Sequence, residues 1–259
     1  MKSTQQPEKT IVITGATGAI GGALALEYAE PGALLILQGR DLEQLQTVSD
    51  RCIQAGAQAQ CFSFDLRDTT QLQQWIGEIC ATQAPDLLIA NAGMNTNIGP
   101  DRSGEEWSNI EALLDLNIKS TLALCQQVAQ AMRQRGSGQI GIISSLAAYY
   151  GLPVTPSYSA SKAAVKAYGE GLRGWLAEDG VGVTVVMPGY VASPMCHDMP
   201  GPKPFLWSPE RAARVIRKGL DNNRARISFP FPLNFGSWWL AVLPSALSQR
   251  LLKLFNYDG

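Results

Sequence analysis

The chain carries a single histidine, His197. That excludes a zinc site built from several imidazoles and leaves little for a mixed one. The five cysteines, Cys52, Cys61, Cys80, Cys125 and Cys196, form no C-x-x-C pair and are odd in number. Their natural reading is free thiols packed as small hydrophobes in a reducing compartment. Charge is scarce as well: 17% of residues are Asp, Glu, Lys or Arg, the net charge is −1, and no long basic block occurs. Nucleic-acid binding by phosphate neutralisation is not expected of such a chain. No stretch approaches the ~20 uninterrupted apolar residues of a membrane-crossing helix. The opening MKSTQQPEKT is polar and lacks the apolar core of a secretory signal. The expectation is a cytoplasmic protein without a metal, associated with membranes only through its tail, if at all.

What is present suits a folded enzyme-sized unit. The 259 residues are 46% apolar, enough for one large α/β domain spanning 1–259. Apolar runs alternate with helical patterns. Strands are expected at Thr10–Thr14, Ala33–Gln38, Gln58–Phe64, Asp86–Ala90, Gln139–Ser144, Val181–Met187 and Arg226–Phe229. Helices are expected at Ala19–Ala29, Leu42–Gln54, about Thr69–Thr82, Glu105–Arg135, Ser157–Glu178 and Arg214–Asn222. Near-continuous apolar strands between helices indicate a parallel sheet covered on both faces. The fold class is therefore α/β: a doubly wound (Rossmann) parallel sheet of about seven strands, with ligands at the carboxyl ends of its strands.

Tyr158 and Lys162 lie four apart in SYSASKAAVKAY, thirteen residues after Ser145. Four residues is about one helical turn, so phenol and ammonium share a face. A neighbouring cation favours the phenolate and is expected to lower the tyrosine pKa from its usual ~10. Such a pair moves a proton on or off an oxygen, which makes carbonyl reduction or alcohol oxidation the leading chemistry. The spacing by itself also fits a surface Tyr and Lys on an ordinary helix. The first strand runs directly into T-G-A-T-G-A-I-G, Thr14 to Gly21. Between a strand and a helix, a glycine-rich turn lets backbone approach a pyrophosphate at the helix N-terminus.

From Thr10 to Ser193 these motifs resemble a single-domain short-chain dehydrogenase/reductase (SDR). The family's usual loop is T-G-x-x-x-G-x-G. Here Thr14, Gly15 and Gly21 match, while the middle glycine position holds Ala19, with Gly18 beside it. The extra methyl at Ala19 is the one feature that favours a rival reading, a dinucleotide-binding regulatory or scaffold protein without turnover. The resemblance implies a cofactor cradle of Thr14, Gly15, Thr17, Gly18, Ala19, Ile20 and Gly21. The family's acidic ribose-binding position falls on Gly39, followed by Arg40. An acidic residue there would hold the 2′-hydroxyl of NAD, whereas an arginine accommodates a 2′-phosphate. NADP(H) is therefore expected, with NAD(H) as the alternative through the nearby Asp41, which is otherwise a helix cap.

Further contacts implied by the resemblance are Asp65 and Leu66 at the adenine, or Asp65 as a turn cap instead. Asn91, Ala92 and Gly93 form the N-A-G run of the cleft. Pro188 and Gly189 form the turn beside the nicotinamide, followed by Val191 and Ser193. The catalytic set implied is Asn117, Ser145, Tyr158 and Lys162. Tyr158 is the general acid or base. Lys162 lowers its pKa and holds the nicotinamide ribose. Ser145, rather than Ser144, stabilises the substrate oxygen, and Asn117 holds a water in a proton relay.

The substrate loop is expected at YVASPMCHDMPGPKPFLW, Tyr190–Trp207, as a mostly apolar lid in which His197 is a solvated loop residue. Met94–Ile98 and Leu146–Leu152 are further wall candidates. The tail about 236–255 contains Trp238, Trp239 and a Leu247, Leu251, Leu254 stripe after Pro244. It reads either as a helix packed on the domain or a subunit neighbour, or as an interfacial helix on a membrane. Partners implied are a small, partly apolar carbonyl or alcohol and, through the two long helices, further copies in a homodimer or homotetramer.

Overall fold

The computed structural model describes residues 8–199 and 201–254. The first seven residues and the last five of the tail lie outside the described part. The strands are β1 (Lys9–Thr14), β2 (Ala33–Gly39), β3 (Gln58–Ser63), β4 (Leu87–Ala90), β5 (Gly138–Ile143), β6 (Val181–Pro188) and β7 (Arg226–Phe229). They form a seven-stranded sheet in the order β3-β2-β1-β4-β5-β6-β7. Every pairing is parallel. The order reverses between β1 and β4, which opens a crevice at their carboxyl ends.

The helices are α1 (Ala19–Glu27), α2 (Leu42–Gln54), α3 (Thr69–Thr82), α4 (Trp107–Leu114), α5 (Thr121–Arg135), α6 (Pro156–Trp175), α7 (Pro194–Asp198), α8 (Pro209–Asp221), α9 (Leu233–Val242) and α10 (Ser245–Leu254). Burial divides along the strands as a two-sided sheet requires. Ile11, Ile13, Leu35 and Leu37 point to one face, where Leu24 of α1, Tyr28 just after it and Ile216 of α8 cover them. Val12, Ile36, Leu88 and Ile140 point to the other, under Ile76, Val128 and Val165 of α3, α5 and α6.

Three elements differ from the sequence expectation. The long helix Glu105–Arg135 is two helices joined by a π turn, Asp115–Ser120, centred near Asn117. Such wide turns re-aim a side chain within a helix. The expected helix Arg214–Asn222 starts earlier, at Pro209, with the Ser208 hydroxyl capping the Arg211 N–H. Ser-Pro-Glu is a start signal that the sequence reading passed over. The tail is a helical hairpin, not one helix. Trp238 and Trp239 lie within α9, where Gly236 and the preceding prolines hide the helical pattern.

Candidate active site

The β1–α1 turn is set by contacts that leave no room for side chains. Gly15 adopts φ +63°, and a Cβ there would lie 2.9 Å from Ala92 Cα. A Cβ on Gly21 would lie 2.2 Å from the Gly15 oxygen. Gly15 and Gly21 are thus glycines for steric reasons. Gly18 caps α1 in extended conformation and donates its N–H to the Gly15 oxygen at 3.0 Å. Ala19 opens the helix, and its methyl leaves this turn intact.

Thr14 is buried and faces the neighbouring strand, not the crevice. Its hydroxyl accepts the N–H groups of Asn91 and Ala92 at 3.1 and 3.2 Å. The Asn91 amide in turn donates to the Thr14 and Gly15 oxygens at 3.0 and 3.1 Å. N-A-G and the glycine loop are therefore locked to each other across β1 and β4. Gln38, which the motif reading missed, completes the lock. Its amide donates to the Phe64 oxygen at 2.8 Å, and its carbonyl faces the Gly15 N–H at 3.4 Å. A buried amide at the end of an apolar strand was the available signal.

One cavity of about 1110 Å³ runs along these strand ends. Gly15, Thr17, Gly18, Ala19 and Ile20 line it at one side, with Arg40, Asp65, Leu66 and Asn91 further along. Ala92, Gly93, Ser145, Tyr158 and Lys162 line its middle, and Pro188, Gly189, Val191 and Ser193 its far wall. Thr14, Gly21 and Asn117 are not among the lining residues; they shape the walls from behind.

At the β2 end, a Cβ on Gly39 would sit 3.0 Å from the Thr17 side chain. The next residue, Arg40, is exposed and lines the cavity. Asp41 caps α2 by accepting the Gln44 N–H at 3.0 Å. Asp65 lines the cavity and also closes a turn, accepting the Arg67 N–H at 3.0 Å and pairing with its guanidinium at 2.6 Å. The hydrogen bond from Arg67 holds the Asp65 carboxyl below its ordinary range.

In the middle of the cavity, α6 presents Tyr158 and Lys162 on one face, with Ser145 opposite at the end of β5. The Ser145 hydroxyl faces the Tyr158 phenol and favours its ionised form. It also accepts the Ala147 N–H at 3.1 Å, which fixes its direction. Ser144 is turned away, donating to the Lys162 backbone oxygen at 2.8 Å. Lys162 is 5% exposed. Its ammonium lies 5.6 Å from the Tyr158 ring centroid and donates to the Ile143 oxygen at 3.0 Å.

The electrostatics reverse one expectation. Burial raises Tyr158 above the usual tyrosine value, and the Ser145 hydroxyl offsets only part of this. Burial also pushes Lys162 down, to about 8. Because the ammonium meets the ring and a carbonyl rather than the phenol oxygen, desolvation outweighs its attraction.

Asn117 is 1% exposed. Its carbonyl accepts the Met94 N–H at 2.8 Å, while its amide donates to the Met94 oxygen at 2.9 Å and the Ser161 hydroxyl at 3.0 Å. The π turn thus clamps the loop after β4 to α6. A Cβ on Gly93 would sit 3.2 Å from Asn117 Oδ1 and 3.3 Å from Lys162 Nζ. Both groups therefore face one small polar space.

Past this group, Ser193 caps α7 by accepting the Cys196 N–H at 3.0 Å. His197 is exposed, beside Asp198, and does not line the cavity. A Cβ on Gly189 would meet Pro230 at 2.9 Å and Leu233 at 3.0 Å, so the β6 turn is a glycine because the tail packs onto it. Among the described residues no group of three His, Cys, Asp or Glu side chains is placed to hold a metal.

A parallel sheet with a glycine turn at its switch point, and Ser, Tyr and Lys beside it, defines a dinucleotide-dependent α/β oxidoreductase. The chain belongs to the short chain dehydrogenase family, whose sequence profile matches residues 9–202. An uncharacterized oxidoreductase of Myxococcus xanthus is 32% identical over 92% of this chain and 94% of its own length. A ketoacyl reductase, HetN, of Nostoc sp. is 30% identical over 85% of this chain and 77% of its own. Two solved structures share the fold. A short-chain dehydrogenase from Sphingobium yanoikuyae in complex with NADPH has TM-score 0.81 at 24% identity, covering 95% of each chain. A putative NAD(P)-dependent gluconate 5-dehydrogenase from Beutenbergia cavernae with bound NADP has TM-score 0.76 at 26% identity, covering 90% of this chain and 97% of that one.

Proposed function

We propose that this protein is an NADP(H)-preferring oxidoreductase interconverting a carbonyl and a secondary alcohol, with Tyr158 as general acid and base. The observation that carries the reading is the convergence of the Ser145 and Tyr158 hydroxyls and the Lys162 ammonium midway along a cavity that begins at the glycine turn.

The residues present fit a dinucleotide. Gly15 and Gly21 hold backbone where any side chain would collide, and α1 offers its N-terminus to a pyrophosphate. Thr17, Gly18, Ala19, Ile20, Asp65, Leu66, Asn91, Ala92, Gly93, Pro188, Gly189, Val191 and Ser193 are the proposed cradle, shaped by Thr14 and Gly21 from behind. The phosphate preference rests on the β2 end. Thr17 crowds the side-chain position of Gly39, Asp41 is engaged as a cap, and Arg40 is the one cation lining the cavity there among the described residues. The bound NADPH and NADP of the two structural neighbours support the same preference.

When bound, the reduced nicotinamide supplies a hydride to the carbonyl carbon and is left oxidised. As the C=O electron pair moves onto oxygen, Tyr158 gives that oxygen its proton and Ser145 donates a hydrogen bond to the developing charge. The depressed pKa of Lys162 lets it pass a proton at neutral pH, and with Asn117 it borders the small polar space beside Gly93, through which the phenol would be reprotonated. The raised pKa of Tyr158 keeps it protonated at neutral pH, which favours reduction.

We also propose a cytoplasmic homodimer or homotetramer joined through α5 and α6, residues 1–259 acting as one domain. Light scattering on the full chain tests the assembly. The outward aromatic face of α9 gives peripheral membrane contact a specific footing; vesicle co-sedimentation of the full chain, lost in Trp238→Ser, would bear it out. The central test is Tyr158→Phe. The variant should bind NADPH like the parent and reduce no ketone or aldehyde of a broad panel. Near-parental turnover would overturn the mechanism, and a parent inactive on every carbonyl would favour the scaffold reading.

A further inference from the structure

The cavity continues well beyond the Ser145–Tyr158 pair, and its character changes there. Leu146, Met195, Phe205, Leu233, Leu240 and Leu252 are among the residues that line this second half. Past Lys162, no lining residue among the described ones is charged. Lys203, the cation within the lid, points its ammonium at the Met199 and Gly201 oxygens at 2.9 and 3.3 Å and is not part of the lining. A substrate carboxylate or phosphate would therefore lose its water without ionic compensation, and a row of sugar hydroxyls would meet mostly carbon.

The tail builds this half. Asn234 anchors α9 to β7 by donating to the Ser228 oxygen at 3.0 Å. Ser248 of α10 is buried and donates to the Leu240 oxygen at 2.8 Å, folding α10 back on α9. Leu243, Leu251 and Leu252 thereby join the cavity wall. The outer end opens at Phe235 and Trp239, which line the cavity while remaining 51% and 42% exposed. The passage is thus an apolar channel with the acid–base group inside and an aromatic mouth outside.

From this we infer the substrate class: an uncharged lipophilic carbonyl compound, its C=O at Ser145 and Tyr158 and its long apolar body lying beneath α9 and α10. The inference rests on the carbonyl–alcohol reading above and deepens it. The reaction is the same two-electron reduction. Hydride from NADPH forms the new C–H bond, the proton from Tyr158 completes the hydroxyl, and NADP⁺ leaves.

The test is NADPH-dependent reduction of unbranched methyl ketones from butan-2-one to dodecan-2-one by the full chain. A keto sugar and an α-keto acid serve as polar rivals. Burial of each methylene in the channel predicts that kcat/KM climbs about fourfold per added carbon until the channel is filled. The polar rivals should be poor at any length. Gly236 lines the channel and has nothing within 4 Å of where a Cβ would stand, so Gly236→Phe starts its side chain in open space and adds bulk at the wall. It should flatten the chain-length dependence, lowering the ratio of long-chain to short-chain kcat/KM. A readout without turnover is tryptophan emission, which should change on adding dodecan-2-one and lose that change in Trp239→Phe. Reduction that is flat with chain length, or fastest on the keto sugar or keto acid, overturns the substrate class and leaves the oxidoreductase reading standing. NADPH binding with no reduction of any carbonyl overturns both.

Discussion

At the scale of single residues, the site is a compromise between chemistry and burial. Lys162 sits where an ammonium has one carbonyl partner, the Ile143 oxygen, and little water. The cost of that burial holds Lys162 at about 8, against 10.5 for a free lysine. The sign for stability follows. Below about pH 8 both folded and unfolded chains carry the proton, and the folded state bears the full desolvation cost. From about 8 to 10.5 the unfolded lysine keeps its proton while the folded one has released it, so stability rises with pH. Lys162→Met should therefore unfold at higher temperature than the parent at pH 7 in the absence of nucleotide. Abolishing the shift recovers up to ~3 kcal/mol, and losing the hydrogen bond to Ile143 takes back about 1 kcal/mol. The advantage should shrink as the pH passes from 8 towards 10.5. Calorimetry of both proteins across that range checks it, and a variant less stable at every pH would refute the account.

Tyr158 makes the complementary prediction. Burial, only partly offset by Ser145, keeps the phenol protonated at neutral pH. In the proposed mechanism, reduction needs that proton, whereas alcohol oxidation needs the phenolate. The kcat/KM for oxidation should therefore rise through the alkaline range while that for reduction stays level and then falls. Parallel pH–rate profiles decide it. An oxidation rate that is already at its plateau at pH 7 would mean that the bound nucleotide lowers the phenol more than burial raises it.

At the scale of elements, the alternating apolar runs were sufficient to place all seven strands. Parallel strands covered on both faces leave a strong signal, because every residue of β1, β4 and β6 must tolerate burial. The glycine turn and the Tyr158–Lys162 pair were equally legible, since each follows from spacing on a known element. The missing parts have physical reasons too. Gln38 acts through a long-range bond to Phe64 that no local pattern announces. Asn117 does its visible work as a clamp on Met94 and Ser161 because a π turn, not a regular helix, carries it. The helix α9 was hidden by its own composition, with prolines before it and Gly236 inside it. At Ala19 the doubt concerns room for the cofactor; the turn around it keeps the Gly18-to-Gly15 and Gly22-to-Gly18 hydrogen bonds at 3.0 and 2.8 Å, so the methyl leaves the backbone donors in place. Ala19→Gly should therefore bind NADPH no more weakly than the parent, by fluorescence titration; a clear loss of affinity would mean that the methyl is part of the cradle.

At the scale of the whole molecule, the proposed nucleotide site draws on the ends of five strands, β1 to β4 and β6. Its walls are held together by Thr14, Gln38 and Asn91, which bind backbone across strands. A ligand that spans these ends binds the folded chain and has no counterpart in the unfolded one, so it must raise the unfolding temperature. At a concentration of 100 times Kd the gain is about 2.7 kcal/mol. For a protein near this size each kcal/mol is worth roughly 2–4 °C, so NADPH should raise Tm by about 5–10 °C. NADH at the same concentration should raise it less, because Arg40 then faces no 2′-phosphate. Arg40→Ala should narrow the gap between the two nucleotides by weakening NADPH alone, while Tyr158→Phe should keep the full NADPH shift. Equal shifts for both nucleotides in the parent would remove the NADP(H) preference, and a larger shift with NADH would move it to NAD(H). No shift with either would remove the dinucleotide from the cavity, whatever the catalytic residues suggest.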